Sequence, residues 1–338
     1  MSLPYVSRRP PTKFGRRVLL NEPAPEVLMR AAAQAVRPAW KKHWQRAISR
    51  ARDTVLTGEV EAAARAKDTQ RMLDALLPAI TELKKHLARG WPALFGEAMR
   101  HGATVAAHAL PTPPATPPRS PLQQRLDTRE AAARPPKTPT LTLDDASADA
   151  WINDYIADRL FNVGTDTEAA VRAVITSAID ETLDPREAAT IAQQAIGLTS
   201  TQTGSLIKTA VAMGDAEGGA TLDLAGRMIR IPPDGASPAF IENMLDAIGA
   251  SYTADRVDVN ASHDPAEASA EGQRELWDEA VDLGLIETSM QKMIVGGDPC
   301  DICQSIIDDG PIPLHSDYRE EGPPFHVNCA CVEVLIDE

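Results

Sequence analysis

The last 39 positions of the chain hold all four of its cysteines, and these are the residues best suited to chemistry. Cys300 and Cys303 are separated by two residues, and after a gap of 22 residues His326, Cys329 and Cys331 follow. Two cysteines at this spacing form a knuckle that presents both thiolates to one ion, and a second pair with a nearby histidine can complete a tetrahedron. Because thiolate and imidazole are the ligands that Zn²⁺ prefers, the pattern predicts a Zn²⁺ site built from these five residues.

Five candidate ligands compete for four positions, and their roles stay open at this point. Either Cys331 is the spare residue, or His326 lies outside the coordination sphere and hydrogen-bonds a ligating thiolate. A closed site with four protein ligands leaves no position for a substrate, so we expect a structural ion that supplies much of the folding free energy of a small segment. Three other interpretations remain: two disulfides, catalytic zinc with three protein ligands and a water, or an iron–sulfur cluster.

The composition argues against several classes of protein. Of the 338 residues, 43% are apolar and 24% are charged, which is ordinary for a globular protein with a buried core. No run of eighteen apolar residues occurs, so no membrane span is expected. The basic N-terminal positions lack an apolar stretch, so no secretory signal is expected, and a reducing compartment favours metal over disulfides. The aromatic content of 4% argues against broad base-stacking surfaces.

Charge is distributed unevenly along the chain. Residues 1–107 hold 19 Lys and Arg against 9 Asp and Glu, whereas residues 108–338 hold 15 against 39. A basic segment ahead of an acidic body suggests that the first segment meets nucleic acid or an acidic protein surface. The alternative is that basic helices pair with the acidic body of the same chain.

The organisation predicted from the sequence is mainly α. Nine prolines between Pro111 and Pro139 indicate an extended, semi-rigid spacer without a core of its own. Short strands are expected at residues 291–296 and 330–336, beside the cysteines, and a hairpin at residues 221–232. The predicted parts are a basic flexible arm (1–24), a basic helical module (25–108), a Pro-rich linker (109–143), a helical acidic domain (144–290) and a small β-containing Cys/His zinc knuckle (291–338).

Several helix boundaries are predicted from local signals. Capping-box spacing indicates helix starts at Thr165, Asp184 and Thr199. A Ser-Pro pair and an Asp-Pro pair indicate further starts at Ser237 and Asp264. Breaks or kinks are expected at four places in the basic module that hold proline or glycine: Pro38, Gly58, Pro78 and Gly90–Pro92. Trp40 and Trp44 are four residues apart and share a helix face, for which burial is favoured over a role as partner anchor.

The C-terminal pattern resembles the phage head morphogenesis family, also called Mu F-like minor head proteins. The resemblance is carried by Gly297-Asp298-x-Cys300-x-x-Cys303, by Pro313-Leu314 and by the ending Pro323-Pro324-x-His326-x-x-Cys329-x-Cys331. Two earlier segments are also similar to family segments: Leu198-Thr199 with Gln202, and Glu271-Gly272-Gln273-Arg274 with Trp277. The similarity covers roughly residues 165–336, and the N-terminal half shows none.

The resemblance implies a structural, minor component of a tailed-phage capsid, made beside the portal gene and acting in assembly of the head and portal vertex or in DNA packaging and delivery. The implied partners are the portal protein, the major capsid protein or both, and no membrane is expected. The charge of the basic module separately makes double-stranded DNA a further candidate partner. The implied location is the virion, and the host cytoplasm during assembly. No catalytic residue is expected, because the acid of the family's Arg-x-Glu stretch is missing from Asn260-Ala261-Ser262-His263.

Two other functions stay open. The first is a metal-dependent enzyme, either a hydrolase or a nucleotide-modifying toxin, which would need an open coordination position beside a general base at the Cys/His site. The second is a zinc-containing DNA-binding regulator. The segment around the cysteines is acidic, and such a surface repels phosphate, so the regulator is the weaker alternative.

Overall fold

The computed structural model describes residues 25–110, 146–180, 182–224, 226–296, 299–318, 322–326, 329 and 331–336. The predicted basic arm and nearly all of the predicted linker lie outside these residues. The described part is mainly helical, as the sequence predicts. Its helices are α1 (Pro25–Arg52), α2 (Thr57–Arg65), α3 (Thr69–Ala109), α4 (Ala146–Ile179), α5 (Pro185–Ala195), α6 (Ser200–Gly214), α7 (Pro238–Asp282) and α8 (Asp301–Asp308).

The strands form two small sheets. β1 (Thr221–Leu224) and β2 (Arg227–Arg230) make the predicted antiparallel hairpin. β3 (Gln291–Val295) lies in the middle of a three-stranded antiparallel sheet, between β4 (Ile312–Pro313) and β5 (Val332–Ile336). Its register pairs Val295 with Val332 and Gln291 with Ile336. The two strands expected beside the cysteines are therefore present and pair with each other.

One hydrophobic core joins the helices that precede and follow the Pro-rich segment. It runs from Val36 on α1 through α3 and α4 to Ala268 on α7. At its centre Trp40 meets Phe95 edge to face at 4.6 Å, and Trp44 lies 5.6 Å from Trp91, with all four side chains fully buried. The burial predicted for Trp40 and Trp44 is confirmed. The division into five parts stays a prediction, but the two helical parts share this core.

Backbones approach closely where α3 crosses α7. A Cβ atom on Gly102 of α3 would lie 1.8 Å from the carbonyl oxygen of Ser269, and one on Gly272 of α7 would lie 2.1 Å from that of Met99. The Ser269 hydroxyl also donates to the carbonyl of Ala98 at 3.1 Å. Only glycine leaves room for such an approach, so the two glycines fix where the long helices cross.

Three of the predicted helix starts are confirmed. Asp184 and Glu187 form a reciprocal capping box at the start of α5, and Thr199 and Gln202 form another at α6. The Ser237 hydroxyl accepts from the N–H of Phe240 at the start of α7. These signals succeed because each satisfies N–H groups that the helix itself leaves without partners.

Two predicted starts are wrong. Thr165 lies inside α4, which continues to Ile179 because its core face is uninterrupted; Thr167 is buried and donates its hydroxyl to the Val163 carbonyl. Asp264 lies inside α7, where its buried carboxylate pairs with Arg159 of α4 at 2.8 Å instead of capping a helix. Both helices therefore run on, so the core contacts outweigh the local start signals.

Prolines within the basic module do not end its helices. α1 continues through Pro38, and α3 continues through both Pro78 and Pro92. An interior proline costs a helix roughly 3 kcal/mol, and here burial of Trp40, Leu76 and Trp91 beside these positions offsets that cost. Of the predicted breaks, only Gly58 lies next to a helix start, that of α2.

Basic residues of α1 also join the two halves of the chain. Lys41 pairs with Asp258 of α7. Arg52 donates to the carbonyls of Gln194 at 2.7 Å and Ile196 at 3.2 Å, which are C-terminal carbonyls of α5 without helical partners. Part of the basic charge therefore serves contacts within the chain.

Across the described residues, no helix combines the length and apolar character that a bilayer crossing requires.

We predict that Gly272→Ala and Gly102→Ala each lower the free energy of unfolding by about 1–3 kcal/mol, because the added methyl forces α3 and α7 apart. The matched control is Gly204→Ala on α6, where nothing lies within 4 Å of the new Cβ. This control should raise the stability by roughly 0.5–1 kcal/mol through helix propensity. Urea unfolding of the three variants measures the difference, and equal stabilities would show that the crossing is not close-packed.

Candidate metal centre

The start of α8 positions the first two thiols. Cys300 is the residue before the helix, with extended backbone angles (φ −73°, ψ 172°), and its carbonyl accepts from the N–H of Gln304 at 2.8 Å. Cys303 follows one turn later and is almost fully buried, whereas Cys300 is exposed. The i, i+3 spacing therefore turns both sulfur atoms toward one side of the helix start.

The remaining three donors come from the segment that leads into β5. The N–H of Cys329 donates to the carbonyl of His326 at 3.0 Å, which folds these residues into a tight turn. Cys331 directly precedes β5 and is buried. Pairing of β5 with β3 carries this turn back to the start of α8, because β3 leads directly to it in the chain.

All five predicted donors lie together. His326 Nε2 is 3.0 Å from Cys300 Sγ and 3.2 Å from Cys303 Sγ, and Cys303 Sγ is 3.5 Å from Cys329 Sγ. They form two overlapping groups, in each of which every donor atom lies within 4.8 Å of the others. The groups are Cys300, Cys303 and His326, and Cys303, Cys329 and Cys331, so Cys303 belongs to both.

Apolar residues surround the inner thiols. Cys303 and Cys331 pack in a small cluster with Ile294 of β3 and Ile306 of α8. A Cβ atom on Gly296 would lie 2.7 Å from Cys331 Sγ, so the chain leaves β3 through a glycine that makes room for this sulfur. The environment limits the access of water to the buried thiols, which strengthens electrostatic interactions with a bound cation.

Hydrogen bonds divide the thiols into two kinds. The N–H of Cys303 lowers the pKa of Cys300, and the thiol of Cys331 lowers the pKa of Cys329 to about 5. Burial raises the pKa of Cys303 to about 12, and the hydrogen bond to Cys329 raises the pKa of Cys331. The four thiols therefore differ in how readily they lose a proton, and binding a cation would release protons from those that still carry one.

The donor set fits a tetrahedral ion. Zn²⁺ with bonds of about 2.3 Å to sulfur and 2.0–2.1 Å to nitrogen places its ligand atoms roughly 3.5–3.8 Å apart. The contacts of 3.0–3.5 Å are slightly shorter, so small outward shifts would bring these atoms to ligand spacing. The Cys/His groups could therefore hold a metal ion. His315, which also falls between the cysteine pairs, lies apart from them, with its Nδ1 3.3 Å from Asp278.

A cavity of about 290 Å³ opens beside two of the thiols. Its walls include Cys329, Cys331, Arg37 of α1, Gln273 of α7 and the carboxylate-bearing Glu333 of β5. The size is at the lower end for a small-molecule site. A small molecule in this cavity could therefore reach an ion that had an open coordination position. The enzymatic alternative would need such access.

The contacts that join the metal centre to the helical body were not predicted from the sequence. The Glu333 side chain is fully buried on β5, with Lys292 Nζ at 3.5 Å and Arg274 at 3.8 Å. The Glu333 carbonyl accepts from Gln273 Nε2 at 3.0 Å. A glutamate between two valines in a short strand has the pattern of a solvent-facing residue, so the sequence gives no signal of this burial. Glu333 therefore attaches β5 both to β3 and to α7.

We predict that Glu333→Gln lowers the free energy of unfolding by about 3–5 kcal/mol, because it leaves the buried Lys292 ammonium without its counter-charge. Replacing both residues, as Glu333→Gln with Lys292→Met, should recover part of the loss, since no unpaired charge remains. The control is Glu217→Gln, a change of equal chemistry at an exposed position. Chemical denaturation compares the three, and a loss no greater than in the control would contradict the buried pair.

Comparisons of the chain with protein-family models, with curated proteins and with solved structures find no match. The resemblance to phage head proteins therefore rests on the sequence patterns alone. The metal-binding capacity of the cluster rests on its own geometry and chemistry.

Proposed function

We propose that this chain is a structural minor head protein of a tailed phage, and that its Cys/His cluster holds a structural Zn²⁺. The observation that carries the proposal is that all five predicted donors lie together, in two groups that share Cys303. The same residues carry the resemblance to the phage head morphogenesis family. The cluster and the resemblance thus support each other through one set of side chains.

The four ligands that we propose are Cys300, Cys303, His326 and Cys329. Each of these has a donor contact of 3.5 Å or less with another member of the set. Cys331 is the spare residue, and its thiol hydrogen-bonds the Cys329 sulfur from outside the set. A Zn²⁺ ion would supply only cross-linking bonds there, because four protein ligands complete its tetrahedron.

The position of the cluster suits a structural role. It connects the start of α8 to the turn before β5, two segments that also pack together in a small apolar cluster. β5 is in turn attached to α7 through Gln273 and Glu333, and α7 is part of the main core. Fixing the turn therefore fixes the small sheet on the end of the helical body, which presents one rigid surface to a partner.

The proposed partners are the portal protein, the major capsid protein or both. The described part is a body of long helices, and its C-terminal portion is strongly acidic. Such a surface favours a partner with a basic face and discourages self-association. The proposed location is the head or portal vertex of the virion, reached from the host cytoplasm during assembly.

We predict one zinc ion per purified chain, and loss of most of it in Cys300→Ser and in Cys303→Ser, because serine is a poor zinc ligand. Cys331→Ser should keep the ion, since that thiol lies outside the proposed set. Elemental analysis of the wild type and the three variants gives the metal content. Unchanged zinc in the first two variants would disprove the ligand assignment. Loss of zinc in Cys331→Ser would mean that Cys331 is a ligand in place of Cys329.

The test of the phage role is co-expression with the portal protein encoded by the neighbouring gene. We expect the two proteins to elute together in size-exclusion chromatography, and Cys303→Ser to weaken the complex because the small sheet is no longer held to the body. Cys331→Ser is the matched control and should leave the complex intact. If portal and capsid proteins both fail to bind, and a cobalt-substituted sample shows an exchangeable water ligand, the enzymatic alternative replaces this proposal.

A further inference from the structure

One side of the groove between α1 and α3 is lined by basic side chains, here named the basic strip: Lys42, Arg46 and Arg50 on α1, and Arg89 on α3. The three α1 residues are four apart, so they share one face of the helix. All four side chains are exposed. The strip therefore presents cations from two neighbouring helices to the same solvent region.

Contacts between the helices show that the two sides of the strip are adjacent. Arg50 lies 3.5 Å from His86, and His43 Nε2 lies 3.3 Å from the carbonyl of Leu87. A Cβ atom on Gly90 would collide with the His43 ring, at 2.2 Å. α1 and α3 are thus in close contact along this edge, and Arg89 directly precedes the glycine at which they meet.

Acidic side chains do not neutralise the strip. Among the described residues, the side chains of Lys42, Arg46 and Arg89 make no hydrogen bond or ion pair, and the side chain of Arg50 contacts only the His86 ring. The nearby carboxylate of Glu82 is already engaged by Lys85 and His86. Burial lowers the pKa of His43, and the charges of His86 and Arg46 lower it further, which is consistent with a positive potential along this edge.

The strip matches the charge spacing of a nucleic-acid backbone. The nine residues from Lys42 to Arg50 span about 12 Å along α1. One DNA strand carries a phosphate about every 3.4 Å of helix axis, so this length faces three to four phosphates. The nearest aromatic side chains, Trp40, Trp44 and Trp91, are fully buried and cannot stack on bases, which favours a duplex over a single strand.

We propose that the basic strip binds the phosphate backbone of double-stranded DNA without reading its sequence. The net charge of −14 does not prevent this, because the excess acidic charge belongs to residues 108–338 and is screened beyond about 10 Å at 0.1 M salt. The strip contacts phosphates through its four cations. This binding extends the proposed function, but it depends only on the surface of α1 and α3.

The test is binding of the full-length, zinc-loaded protein to a random-sequence duplex by fluorescence anisotropy across a salt series. The variant carries Lys42→Gln, Arg46→Gln and Arg89→Gln. The control carries Arg172→Gln, Lys208→Gln and Arg230→Gln, which are exposed basic residues outside the strip. Both variants lose three positive charges, so a general effect of net charge would weaken the DNA binding of both equally.

We expect the strip variant to bind on the order of 10- to 100-fold more weakly at low salt, and its slope of log K against log salt to fall by about 3, while the control stays close to the wild type. Absence of wild-type binding at low salt, or equal losses in both variants, would overturn the proposal. Strip-dependent binding of a polyglutamate peptide as tightly as DNA would also overturn it, in favour of an acidic protein partner. None of these results affects portal co-elution, so the two proposals fail separately.

Discussion

The crossing of α3 and α7 is the constraint on which the rest of the structure depends. α3 has 41 residues and α7 has 45, and each crosses the whole described body. Their backbones touch at Gly102 and Gly272, which leaves no freedom to slide because any side chain at these points would collide with a carbonyl. α1 packs against both helices and brings the two aromatic pairs, Trp40–Phe95 and Trp44–Trp91, into one core.

The small sheet that carries the metal centre is attached to this frame by charge and hydrogen bonding as well as by apolar packing of α3 and α7 against Met290, Leu314 and Leu335. Gln273 is the residue after the crossing glycine, and it holds the β5 backbone at Glu333. The Glu333 carboxylate lies between Lys292 of β3 and Arg274 of α7. A buried carboxylate is costly unless its partners are held in place, so this arrangement specifies one docking position for the sheet rather than adding much stability. An ion in the Cys/His cluster would fix the remaining side of the same sheet.

The sequence predicts those features whose physical cause is local. Ligand spacing at Cys300 and Cys303 and the capping boxes at Asp184 and Thr199 involve residues within one turn, so the pattern carries the geometry. Thr165 and Asp264 have similar patterns but lie inside helices, because buried contacts along α4 and α7 outweigh the local preference. The roles of Gly272 and Glu333 depend on partners from other elements. A single sequence cannot reveal such partners, since nothing local distinguishes these residues from a surface glycine or glutamate.

The uneven charge of the chain has two separate consequences in the fold. Some basic residues of α1 are turned inward to the second half of the chain: Lys41 pairs with Asp258, and Arg52 satisfies the carbonyls at the end of α5. Others on the opposite edge of the same helix, Arg46 among them, have no acidic partner within the described residues. An amphipathic helix needs only one polar face for solvent, and that face can carry either sign of charge. Cations without partners on that face are therefore not required by the fold, and they are the part of the basic segment best suited to an external anion.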